Sequence, residues 1–333
     1  MSKQDTPLVP ARATKVVRDP GTTGPAQRAS VVPWICLLIV WVVWGSTYLA
    51  IRVGVETMPP LLMAAARNLA AGLIMFPLAL RHRRAAVRAG RPGAPARRWP
   101  SRAEWLGCAI VGILLLVANG VVGVGEKTVP SGLAALLVAT VPLWLLGIDA
   151  GLNHARLGLA PLAGLVLGLA GVALLSGLGG GSRGTSVLGV ITILGAAAAW
   201  ALGTIMARRV TIPSSPALAS GMELLTGGAA LLVLAAAAGE FSSLHLGHVS
   251  ARSWLALGYL TVVGSIVAFS AYGIAVRALP TATVATYAYV NPVIAVLLGA
   301  LILSERLTPA MIGGGVLIVG AVVLVVRRSP PAH

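Results

Sequence analysis

Polar and charged positions in this chain gather into short joints, and the runs between them are apolar for about 20 residues at a time, the length that crosses a bilayer as a helix. Such runs fall near 31–53, 59–80, 105–122, 130–148 and 157–177, and again near 186–207, 216–238, 254–274, 280–302 and 309–326. The pattern predicts an all-α polytopic membrane protein with ten transmembrane helices. Most joints are too short to hide a soluble domain. The two stretches open to irregular structure are residues 1–30 and 81–102. Residues 1–30 mix Pro, Thr, Ser and scattered charge without an apolar run, so they read as a disordered cytoplasmic tail with no cleavable signal peptide. Residues 327–333 form a second, short cytoplasmic tail.

The second five runs repeat the first five at a nearly constant offset. Trp44 and Arg52 stand eight residues apart, as do Trp200 and Arg208, and Arg67 precedes Glu223 by the same 156 residues that separate the two tryptophans. Lys127, Pro130 and Pro142 recur 150 residues later as Arg277, Pro280 and Pro292, and Gly164 and Gly171 recur as Gly313 and Gly320. An odd number of spans in each half makes the second half enter from the opposite face. The expectation is two inverted five-helix repeats, residues 31–178 and 186–326, with a substrate site near the bilayer midplane where they meet.

Composition agrees with lipid as the main solvent: 57% of residues are hydrophobic, 10% are charged and the mean hydropathy is +0.90. A net charge of +16 would suggest nucleic acid in a soluble chain. On the helix map, however, 19 of the 25 basic residues fall on one side, 5 on the other, and Arg67 within a span. The positive-inside rule then puts both termini in the cytoplasm and needs no nucleic-acid partner. Cys36 and Cys108 lie in apolar runs and read as reduced structural thiols.

Pro142 and Pro292 each stand 12 residues past the proline that opens their helix, about 18 Å along it and so near mid-bilayer. A proline there kinks the helix and frees a carbonyl that needs a partner or a wet cavity; a packing kink without substrate contact fits equally. Pro130, Pro280 and Pro309 open helices, where the missing N–H costs nothing. Thr308 fits an N-cap before Pro309, and Glu305 is positioned to meet the positive end of the tenth helix. Arg67 and Glu223 are ionisable groups inside spans and therefore functional candidates. The inversion sets them at opposite depths, so no salt bridge between them is implied. Glu223 fits either proton coupling or an internal hydrogen-bond network, and Arg67 fits the tying of helices near the site. Trp41, Trp44 and Tyr48 share one face of the first helix, and Tyr287 and Asn291 share one face just before Pro292. With the amide Asn119 and the ring Tyr272, the candidate substrate contacts are Trp44, Tyr48, Asn119, Tyr272, Tyr287 and Asn291, a set suited to an amphipathic ligand.

These residues resemble the drug/metabolite transporter superfamily with tandem EamA-type domains, and within it the YedA-like permease subgroup. The resemblance covers residues 34–326 through WGSTYLAIR from Trp44, AARNLAAG around Arg67, Asn119 with EKTVPSGLAALLVATVPL from Glu126, SGMELLTGG around Glu223, GSIVAFSAY from Gly264, TYAYVNPVIAVLLG from Thr286 and the turn Ser304 to Leu307. It implies ten spans, a central cavity, a bacterial plasma or inner membrane, and export of amino acids, related metabolites or small toxic compounds. Ala155 departs from the family in standing where the second repeat has Glu305. The expected function is a secondary transporter working by alternating access on a small-molecule substrate, with protons as a candidate co-substrate. A lipid or lipid-linked cargo translocase and a passive channel are the rivals. Enzyme chemistry has little footing: the five histidines, His82, His154, His245, His248 and His333, fall in joints or the tail without a zinc set, and no HExxH, GxSxG or Walker A string occurs. No cofactor or metal is expected.

Overall fold

The computed structural model describes residues 31–90, 97–152, 159–175, 186–279, 284 and 286–328, and every regular element among them is helical. Among the described residues, seven helical spans are long and apolar enough to cross a membrane: Val32–Gly54, Pro60–Arg88, Arg102–Gly125, Ser131–Leu152, Val187–Ala207, Pro216–Ala237 and Ala251–Tyr272. The remaining expected spans fall on α7 (Leu159–Leu175), α13 (Tyr287–Ile302) and α14 (Pro309–Arg328), the last two carrying shorter apolar stretches at Val290–Ile302 and Pro309–Ala321. Seven membrane-length helices are thus described against ten expected. Residues 1–30, Ala155, Arg183, Pro280, His154 and His333 lie outside the described residues.

Local chemistry explains most helix starts. Pro60 opens α2 (Pro60–Arg88) and Pro216 opens α9 (Pro216–Ala237), each in the first turn where a missing N–H is harmless. Ser101 and Glu104 form a reciprocal capping box at α3 (Arg102–Gly112), and Ser186 and Ser250 cap α8 (Val187–Ala207) and α11 (Ala251–Tyr259), the latter preceded by the single turn α10 (Glu240–Ser243). Thr308 accepts from Met311 N at 3.2 Å, the cap expected for α14.

Three local features differ from the expectation. Helix α2 runs on to Arg88, which moves His82 from a joint onto a helix. The reason is Arg83, which is buried and donates to Glu104 at 2.8 Å and to the Arg97 carbonyl at 3.0 Å, tying the end of α2 to the start of α3. Glu305 does not serve α14. Its carboxylate accepts from Ser131 N at 2.9 Å, Ser131 Oγ at 2.9 Å and Gly132 N at 3.2 Å, so it caps α5 (Ser131–Val138) across the repeat boundary. Pro142 does not kink a continuous helix. The chain breaks at Ala139–Thr140 and restarts as α6 (Val141–Leu152), with the Thr140 carbonyl accepting from Leu143 N at 2.8 Å and Trp144 N at 3.2 Å. Pro142 therefore sits in a first turn, whereas Pro292 lies inside the unbroken α13.

Two spans pass through wider π-helical turns, Ile113–Val117 between α3 and α4 (Ala118–Gly125), and Leu260–Val267 between α11 and α12 (Ala268–Ala278). Such turns rotate the following residues and often mark functional sites; here they occupy matching places in the two halves. The packing exchanges in the same way. Helix α1 (Val32–Gly54) packs on α13 and on α11–α12, while α8 packs on α5–α6 and on α3–α4; α2 faces α9, α5 faces α13 and α7 faces α14. Each contact becomes another when the halves are swapped. Small residues allow this closeness: a Cβ added at Gly45 would stand 2.7 Å from Ile294 Cβ on α13, and one at Gly112 would stand 2.5 Å from the Glu223 carbonyl on α9.

Candidate functional site

Where the two halves meet, the chain encloses a cavity of about 250 Å3. The first half contributes Trp44, Tyr48, Arg67, Asn119 and Pro142 to its wall; the second contributes Trp200, Phe269, Tyr287, Asn291 and Pro292. All the candidate substrate contacts except Tyr272 line it, as do both mid-span prolines. Helix α1 delivers Trp44 and Tyr48 because residues 44, 47, 48 and 51 fall on one helical face.

Trp44 is the centre of an aromatic wall. Its ring lies 5.1 Å from Tyr287 and 5.6 Å from Phe269, both edge-on, and 5.2 Å from Tyr272. Tyr272 packs behind Trp44 and reaches Tyr287 at 6.2 Å, bracing the wall from outside the cavity. Edge-to-face pairs of this kind hold their rings in fixed orientations, so α1, α12 and α13 present one stiff apolar surface.

Polar groups complete the lining. Arg67 is 6% exposed, and its Nε donates to Ser265 Oγ at 3.0 Å while Nη1 donates to Asn119 Oδ1 at 3.1 Å. One guanidinium thereby ties α2 to α4 and to the π-helical turn before α12, and it fixes which face Asn119 presents. Arg67 is also the one formal charge among the described wall residues. Asn291, with its amide nitrogen turned toward α1, donates to the Trp41 carbonyl at 3.2 Å and the Tyr287 carbonyl at 3.1 Å. Beside it, Pro292 leaves the Ala288 carbonyl without its usual intrahelical donor.

Glu223 is placed elsewhere. It lies on α9 at the packing seam with α3, where Thr226 Oγ1 donates to the Cys108 carbonyl at 3.2 Å, and it is not part of the cavity wall. Among the described residues it makes no ion pair with Arg67.

Across this architecture the sequence pattern of the EamA-like transporter family matches residues 32–177 and again residues 187–327. The chain belongs to that family. The uncharacterized inner membrane transporter YedA of Escherichia coli (strain K12) is 38% identical over 276 residues, covering 82% of this chain and 83% of its own. The probable amino-acid metabolite efflux pump of the same strain is 28% identical over 291 residues, covering 85% of this chain and 91% of its own. A solved crystal structure, 23% identical with a TM-score of 0.53, covers 89% of this chain and 95% of its own, which shows a shared fold. The protein is accordingly a multi-pass transporter of the bacterial inner membrane.

In this EamA-like transporter, the fold adds Trp200 and Phe269 to the wall and Ser265 behind Arg67. Trp200 carried a signal, since it is the repeat partner of Trp44 at the 156-residue offset. Ser265 and Phe269 lie in the GSIVAFSAY string, but helical spacing does not set them toward the site, because a π-helical turn shifts the face on which they fall. Glu126, which opens the EKTVPSG string, stands at the end of α4 where the chain pattern marks a joint, and it is fully buried.

Proposed function

We propose that this transporter exports small amphipathic metabolites, of the amino-acid-derived kind, by alternating access. Its ten spans form two inverted five-helix repeats that rock about the shared cavity. The observation that carries the reading is the cavity itself, drawn from both halves, with an aromatic face built around Trp44 and polar groups from Arg67, Asn119 and Asn291 in the same wall. A stiff apolar wall suits a hydrocarbon or aromatic body. A lone guanidinium with no wall acid favours a carboxylate over an amine as the polar end. Trp44, Tyr48, Asn119, Tyr287 and Asn291 contact cargo, Tyr272 orients Trp44, and Arg67 orients Asn119. The name of the efflux-pump relative supports both the direction and the cargo class. Glu223 stands off the wall, so a coupling role there acts through the α3–α9 seam and not by contact with cargo.

Mass-spectrometric profiling of medium and cell contents tests this, comparing cells expressing wild type with cells expressing W44A at matched membrane levels. The expected result is an amphipathic acid enriched in the medium with wild type and not with W44A. Enrichment confined to lipid or lipid-linked species would overturn it in favour of a translocase, and equal enrichment by both proteins would remove the aromatic wall from the site.

A further inference from the structure

Glu126 is 0% exposed, and neither of its carboxylate oxygens has a hydrogen-bond partner. It stands one residue beyond the third span, and Asn119, Val122 and Glu126 follow one another at spacings of three and four along α4. That spacing sets Glu126 one turn further out on the helix face that looks onto the cavity. On its other side lies a second pocket bounded by Arg52, Glu56, Lys127 and Glu305, on the face that the charge asymmetry makes extracytoplasmic. Helix α1 joins the same two spaces, with Tyr48 and Ile51 on the cavity and Arg52 on the outer pocket. Glu126 is therefore buried in the partition between them.

Around it, helix α1 brings Tyr48 and Arg52, the joint between α13 and α14 brings Glu305, and Lys127 follows in the chain. Helix α8 meets the end of α4 with uncharged Ile193 and Gly189. Arg52 donates to the backbone carbonyls of Glu126 and, at 3.0 Å, Lys127, so it holds the turn but leaves the carboxylate unserved. A sealed carboxylate without a donor is costly when ionised. Burial, opposed by Arg52 and reinforced by Glu305, holds this carboxyl well above the usual carboxylate range.

We propose that Glu126 is the proton-carrying latch of the outer partition, neutral while the partition is shut and ionised when it opens to the extracytoplasmic side. The proposal rests on the transport reading above and assigns the proton a site distinct from Glu223. Shutting takes one proton from the outer solution onto the carboxylate, and opening returns it. The shut state binds that proton more tightly, so above the ordinary carboxylate pKa of about 4.3 rising pH favours the open state, by up to about tenfold per pH unit, until the shut form also ionises. An acidic outer solution resets the emptied carrier by shutting it.

The test places a reporter thiol on the cavity wall, V138C, with C36A and C108A, and measures its modification by a small membrane-impermeant methanethiosulfonate from pH 5 to 9. Spheroplasts expose the outer face and inverted vesicles the cytoplasmic face. The outer-face rate with Glu126 present is divided by the rate in E126Q, which cancels the thiol's own titration. The ratio is expected to climb several-fold or more between pH 5 and 8, to climb likewise in E126D, and to keep climbing when E223Q is added to both members of the ratio. A flat ratio, or a climb lost on adding E223Q, overturns the proposal. Access from both faces with a flat ratio leaves alternating access standing and removes Glu126. A climbing ratio with access from the outer face alone keeps the latch and removes alternating access. Access from the cytoplasmic face alone at every pH overturns both.

Discussion

The bond between Arg67 and Ser265 offers the sharpest test of how the cavity is held. Arg67 is nearly sealed from water and its Nε meets Ser265 Oγ at 3.0 Å. A hydrogen bond from a charged donor contributes about 1.5–3 kcal/mol, and a buried donor left without an acceptor costs a similar amount. S265A should therefore destabilise the protein by about 1.5–3 kcal/mol. In an R67M background the donor is gone, and losing the serine hydroxyl should cost no more than about 0.5 kcal/mol. The cycle then predicts a coupling energy of about 1–2.5 kcal/mol. Reversible sodium dodecyl sulfate titration in mixed micelles, followed by the fluorescence of the 8 tryptophans, measures all four proteins. Coupling below about 0.5 kcal/mol with both single variants folded would refute the reasoning. Arg67 would then be held by packing, and its control over Asn119 would need another cause.

Three further outcomes follow from contacts away from that bond. E305Q removes the charge that accepts from Ser131 and Gly132 at the start of α5, so it should lower stability in the same titration by about 1 kcal/mol, with E305A costing more. E104A takes the anionic partner from Arg83, whose side chain is 7% exposed in that pair, and leaves it only backbone carbonyls, so it should cost about 3 kcal/mol; R83M/E104L should recover most of the loss. G45V drives a side chain into Ile294 on α13, which stands 2.7 Å from where a Cβ at Gly45 would be, so export should fall and I294A should restore part of it. Export untouched by G45V, or a G45V defect that I294A leaves unchanged, would mean the two helices do not meet as described.

Membrane class and the two-fold repeat were legible in the chain alone, because each depends on counts that need no knowledge of packing. Apolar run length decides whether a segment spans, basic residues sort by side, and offsets of 156 and 150 residues reveal the duplication. Trp44, Tyr48, Asn119, Tyr287 and Asn291 could be picked out on the same basis, as large or polar groups set deep in spans. Details that depend on one helix meeting another were not. Glu305 was placed by proximity in sequence beside α14, but its partners lie 173 and 174 residues away at α5. Pro142 and Pro292 are matched in sequence and yet differ in the fold, since Thr140 supplies the acceptor that lets α6 restart.

Helical periodicity and composition act locally, through the cost of an unpaired backbone in lipid, and so they set which segments span and which faces their side chains share. Whether a polar side chain on such a face ends in a partner, a cavity or a sealed partition depends on close approach between helices far apart in the chain. That is why Arg67 finds Ser265 across 198 residues, why Glu223 is drawn into the seam with α3, and why Glu126, which reads as the first residue of a joint, is buried without a partner.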